Sequence, residues 1–88
     1  MNLKKLNILL VSGGWSDERQ VSIQSGKNVY HSLKATNYQV EIFALTRDTV
    51  FKILQKNQAL IFNALTGEFG EEGTLTNLAH KYQIPITP

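Results

Sequence analysis

The run Ile8-Leu9-Leu10-Val11-Ser12-Gly13-Gly14-Trp15-Ser16-Asp17-Glu18-Arg19 decides how this chain reads. Its first part is continuously apolar rather than alternating, which indicates a strand buried on both faces of a parallel sheet. It breaks at two adjacent glycines and then enters helix-like sequence. In α/β proteins that junction is where ligands are held. The run also carries carboxylates, hydroxyls and an arginine, so the chemistry is expected here.

Working outward, residues 6–12 are the first strand and 21–35 the first helix, with Gly26, Val29, Tyr30 and Leu33 on one face. Ser22, Ser25 and Gly26 are small, so the start of this helix can lie close to the sheet. Asn37 is a stop signal. A second strand is expected over 39–45, then a short helix over 49–56 capped by Asp48. A third, nearly wholly apolar strand follows over 59–65. After a glycine-rich loop over 66–73, Thr74 caps a third helix over 75–82. Residues 84–86 open a fourth strand. This β-α-β-α-β-α-β alternation predicts an α/β fold in three layers, a parallel sheet of about four strands with helices on both faces and right-handed crossovers. The last strand is cut short at its beginning, which is expected of a piece of something larger.

The bulk numbers set bounds. Eighty-eight residues make one domain. Such a chain buries a little over ~60% of its unfolded surface, enough for one modest core. Lys4 and Lys5 precede an apolar stretch, but it is too short for a signal peptide or a ~18-residue membrane span. There is no cysteine, which excludes disulfides and thiol chemistry and fits the cytoplasm. A net charge of +2 from scattered lysines gives no reason to expect nucleic acid. His31 and His80 have no partner at metal-ligand spacing, so no metal site is expected on this chain.

Two loops follow strands one and three. If those strands are neighbours, the loops face each other across a crevice at the carboxyl edge. Loop one lacks the third glycine of the dinucleotide fingerprint and the Gly-Lys-Ser/Thr ending of a P-loop. Asp17 and Glu18 bring negative charge, which suits a ligand ammonium better than a phosphate. The bland alternative stays open: Gly13 and Gly14 only turn the chain, and Ser16 and Asp17 only cap the helix. Loop two holds Gly67, Gly70 and Gly73 with Glu68, Glu71 and Glu72, and carboxylates before a helix can be structural. Trp15 reads equally as a packing lid or a contact residue. A receiver-like domain fits poorly, because Ser12-Gly13-Gly14 and Thr66 stand where its acidic residues belong.

Residues 13–22, Gly-Gly-Trp-Ser-Asp-Glu-Arg-Gln-Val-Ser, with Ser25-Gly26 following, resemble the first signature of D-alanine–D-alanine ligases, Gly-Gly-x-Ser-x-Glu-Arg/His-x-Val-Ser followed by Ser-Gly. Phe62-Asn63-Ala64-Leu65, Gly67 and Gly70-Glu71-Glu72-Gly73-Thr74-Leu75 resemble that family's second block, and Ile84-Pro85-Ile86-Thr87 its Pro-Tyr-Thr segment. The resemblance runs from end to end of the chain.

The resemblance implies a Rossmann-like, pre-ATP-grasp domain: residues 1–88 as the N-terminal substrate-binding domain, with the central and ATP-grasp domains absent from it. It implies an enzyme that uses ATP and Mg2+ to phosphorylate one D-alanine, whose acyl phosphate a second D-alanine then attacks, giving the dipeptide of peptidoglycan. Glu18 falls at the glutamate that holds the first ammonium, the catalytic assignment. Val21, Ser22, Thr66 and Glu71 fall at substrate-binding positions, Val21 against the methyl group. Partners implied are D-alanine, the remaining ligase domains and a second copy in a cytoplasmic homodimer. Thr66 stands where the family usually has histidine, and threonine cannot carry charge. The segment between strands two and three is shorter than usual. A stand-alone or remnant binding module, without catalysis, is the alternative to a ligase.

Overall fold

The computed structural model describes residues 6–56, 60–65 and 71–87, the side chains of Glu71 and Glu72 excepted. The elements run β1 (Asn7–Gly13), α1 (Arg19–Ala35), β2 (Gln39–Leu45), a 3-10 helix (Val50–Gln55), β3 (Leu60–Asn63) and α2 (Glu71–Lys81). All strand pairings are parallel, in the order β2-β1-β3. The chain leaves β1 for one edge and returns to the other, so strand order reverses between β1 and β3.

β1 is the apolar strand of the sequence, and its burial explains why. Ile8, Leu9, Leu10 and Val11 are all buried. Side chains alternate along a strand, so Leu10 and Ser12 share a face while Leu9 and Val11 share the other. A side chain at Gly26 of α1 would touch Ser12 and Leu10, which places α1 on the first face. Leu9 and Val11 instead pack with Ile53 of the 3-10 helix, Ile61, and Leu75 and Leu78 of α2. Helices therefore cover both faces, as the alternation predicts.

α1 buries only Ser22 and Gly26 completely. These lie four residues apart, on one face. The helix ends as Asn37 takes φ of +67°. The Tyr38 N–H donates to Leu33 O at 3.1 Å and the Asn37 N–H to Lys34 O at 3.0 Å, which is the Schellman arrangement. Asn37 is thus the stop residue its sequence position suggests.

Several boundaries differ from expectation. α1 starts at Arg19, two residues before Val21. Thr49, not Asp48, precedes the 3-10 helix; its hydroxyl accepts the Thr46 N–H at 3.0 Å and closes that turn. α2 begins at Glu71, so Thr74 is interior to it and Gly73 is a helix residue rather than a loop glycine. A helix that opens on two acidic residues agrees with the helix dipole. Thr66, Gly67 and Gly70 lie outside the described residues. The expected fourth strand is a single parallel bridge, Ile86 to Ile61, so the sheet has three strands among the described residues. The Ile61 N–H donates to Pro85 O at 2.8 Å and the Thr87 N–H to Ile61 O at 3.0 Å. Pro85 has no N–H to extend a ladder.

A side chain at Gly26 would place Cβ 2.8 Å from Ser12 Cβ and 3.2 Å from Leu10 Cδ2. Glycine to alanine within a helix normally gains about 1 kcal/mol. Here Gly26→Ala is expected to destabilise by about 1 kcal/mol or more, because overpacking costs more than propensity returns. A rise in the urea midpoint on that substitution would contradict this packing.

Candidate functional site

The reversal of strand order puts the carboxyl ends of β1 and β3 side by side, the position at which open α/β sheets hold ligands. The Ala64 N–H donates to Val11 O at 2.9 Å just beyond β3, so the two chain segments leave the sheet together.

Loop one is held by its own backbone and by two side chains. Gly13 and Gly14 have φ of +90° and +85°, a region that glycine enters without steric cost. The Gly14 N–H donates to Leu45 O at 2.9 Å. The Gly13 N–H donates to Ser22 Oγ at 2.9 Å, and Ser22 Oγ donates to Ala64 O at 2.7 Å. Arg19 turns inward, with Nη1 donating to Gly14 O at 2.7 Å and to Leu45 O at 2.9 Å. Both glycine N–H groups are therefore occupied. A phosphate cradle needs such groups pointing at the ligand, so loop one does not fit the phosphates of ATP.

What loop one presents outward is a carboxylate and an apolar side chain. Glu18 occupies the N-cap position of α1, where its side chain makes no capping hydrogen bond. The turn before it is organised by Ser16, whose Oγ accepts the Glu18 N–H at 3.1 Å. Ser16, rather than Asp17, thus carries the helix-start role. Glu18 is exposed and Val21 is 56% exposed. Three residues apart at a helix start, they lie on one flank. An exposed valine beside an exposed carboxylate at a switch point offers an anionic and an apolar contact to a small ligand. Ser22, by contrast, has no exposure and both its hydroxyl bonds run to backbone.

Trp15 is half-buried and packs against the core, with the Arg47 guanidinium 5.4 Å from its ring centroid. It is the packing lid of the two readings. Neither the Arg47 contact with Trp15 nor the inward turn of Arg19 has a signal in the sequence. Two concavities of the described surface lie elsewhere, one at the amino end of β1 and β2 and one beside Phe43 and Lys52. Neither is lined by loop one. Glu71 is the first residue of α2. Among the described residues no three potential metal ligands cluster, and no helix is long and apolar enough to cross a membrane.

Comparison with known proteins gives a consistent picture. Residues 7–60 match the family described as D-ala D-ala ligase N-terminus. The chain is 36% identical over 83 residues to the D-alanine–D-alanine ligase of Zymomonas mobilis, covering 94% of this chain and 26% of that protein. It is 40% identical over 83 residues to the ligase of Rickettsia canadensis, covering 94% of this chain and 23% of that one. The crystal structure of the Bacillus anthracis D-alanine–D-alanine ligase superposes with a TM-score of 0.78 at 28% identity, over 93% of this chain and 27% of the other. The same enzyme complexed with ATP gives 0.71. The chain thus spans about a quarter of the length of the relatives it matches.

A side chain at Gly13 would place Cβ 2.7 Å from Arg19 Nη1 and 3.3 Å from Leu45 O. Gly13→Ala is expected to cost about 1–3 kcal/mol, from the left-handed backbone and the displaced guanidinium. Because that displacement already breaks the Arg19 bonds, Arg19→Met added to Gly13→Ala should cost less than Arg19→Met alone. Additive losses in a double-mutant cycle would contradict the coupling.

Proposed function

Because the chain belongs to the D-ala D-ala ligase N-terminus family, we propose that residues 1–88 supply the first-substrate side of an ATP-dependent D-alanine–D-alanine ligase. The observation that carries this is the pairing of Glu18 with Val21, both exposed on one flank of α1 at the strand-order reversal. On this reading the Glu18 carboxylate receives the ammonium of the first D-alanine, and Val21 lies against its methyl group. Two contacts of opposite character fix the substrate's orientation, and orientation alone lowers acyl-transfer barriers by several kcal/mol. The substrate carboxylate is thereby directed away from this domain, toward the rest of the ligase.

ATP and Mg2+, held elsewhere in the ligase, would supply the phosphoryl group for that carboxylate; the Gly13 and Gly14 N–H groups of loop one are already bonded within the domain. The amine of the second D-alanine then displaces phosphate, and the peptide bond forms as the acyl-oxygen bond breaks. Thr66 and Glu71 would line the same site from the side of β3. Thr66 offers a hydroxyl where the family has an ionisable imidazole, so any proton carried there must be carried by another group. The reading includes a role in peptidoglycan synthesis, a cytoplasmic location and a homodimeric assembly.

In a full-length ligase carrying residues 1–88, Glu18→Gln keeps size and removes charge. It is expected to lower kcat/KM for D-alanyl-D-alanine formation roughly 10- to 100-fold, the loss of one charge-assisted hydrogen bond. The melting temperature should change little, since an exposed carboxylate at a helix start contributes about 1 kcal/mol or less. Near-normal synthesis by Glu18→Gln would remove Glu18 from the role.

A further inference from the structure

We propose that Ser22 is a positioning residue, whose hydroxyl holds the ends of β1 and β3 at a fixed separation and does not itself touch substrate. The inference rests on the reading of the carboxyl edge as the first-substrate site and assigns Ser22 a different part in it from the substrate contact its signature position implies.

Three bonds carry the argument. The Ser22 N–H donates to Glu18 O at 2.9 Å, so the residue sets where the Glu18 backbone sits. Its Oγ accepts the Gly13 N–H at 2.9 Å, at the end of β1. The same Oγ donates its one proton to Ala64 O at 2.7 Å, just after β3 and 42 residues away in sequence. A single buried side chain therefore joins the last turn of β1, the backbone that presents Glu18, and the start of the segment leading to α2. Ser22 has no solvent exposure, and its only proton is already placed, so nothing remains for a ligand to receive. Arg19 makes a contrasting pair of bonds. It fastens loop one to Leu45 at the end of β2, away from the site, and does not reach the β3 side.

Removing the hydroxyl leaves the buried Gly13 N–H and the part-buried Ala64 C=O without that partner. Their relaxation shifts Gly13 and Ala64 relative to each other, which changes the first-substrate site and leaves the ATP site alone. In the full-length ligase carrying residues 1–88, Ser22→Ala is expected to raise the KM for the first D-alanine about tenfold, while the KM for ATP stays within about twofold. Ser22→Thr keeps the hydroxyl and adds a methyl group to a filled space. It should lower the melting temperature yet hold the first-site KM within about twofold of wild type.

A role confined to stability would give the opposite pattern, with both variants less stable and KM unmoved in each. That result, or equal KM increases in the alanine and threonine variants, overturns the proposal. Should Ser22→Ala fail to fold, Ser22→Cys takes its place, since its sulfur is a poorer donor and acceptor of similar size; the same split is expected and the same results overturn it. A wild-type ligase that forms no D-alanyl-D-alanine overturns the underlying reading, and this one with it. A wild type that forms the dipeptide, with an unmoved KM in Ser22→Ala, overturns this one alone.

Discussion

β1 is enclosed on four sides: β2 and β3 pair with its edges, α1 covers one face, and the 3-10 helix with α2 covers the other. A strand in that position must be apolar on both faces, and Ile8–Val11 are. The enclosure also fixes where its end can go. With both faces covered, the chain can only emerge at the carboxyl edge and must turn at once to start α1. Gly13 and Gly14 make that turn in the left-handed region, and the site is built on the residues just past it. Enclosure of β1 is thus the constraint that dictates, in order, the loop, the helix start and the exposed Glu18.

Beyond Trp15, which packs against the core, loop one is held by polar bonds. Leu45 O, at the end of β2, accepts from both the Gly14 N–H and Arg19 Nη1. Ser22 Oγ makes the corresponding link toward β3. Such bonds are worth about 1 kcal/mol each on net, but the groups involved are costly to leave unmade when buried. They therefore define the loop's conformation more than they add to overall stability. The surface lysines contribute less: the Lys56–Glu41 pair at 2.6 Å is substantially exposed, and such pairs seldom stabilise measurably.

Much of this is legible in the sequence because it depends on local pattern. The unbroken apolar run of β1, the small residues at the start of α1 and the stop at Asn37 each state a local requirement of the backbone. The negative charge at Asp17 and Glu18 is likewise a local pattern, and the proposed ammonium contact rests on it. What escapes depends on distant partners. Arg19 finds a carbonyl 26 residues away and Ser22 one 42 residues away, and spacing along the chain gives neither. The start of α2 is misplaced from sequence because glycines and glutamates read as loop, whereas acidic residues suit a helix N-terminus. The fourth strand is overestimated because an Ile-Pro-Ile segment has strand-like side chains but lacks the N–H at its centre.

Ser22 and Gly26 share the one face of α1 that meets the sheet, and Ser12 lies beneath Gly26. Requirements of two kinds therefore fall on one narrow stripe of the helix. A change tolerated for packing at Gly26 would lift α1, and with it Ser22 and the backbone that presents Glu18. A domain built this way has little freedom to drift along that stripe, even at positions no ligand ever meets. Its exposed helix face and the outer edge of β2 carry no such obligation, so divergence among relatives has room there and not beneath the helix.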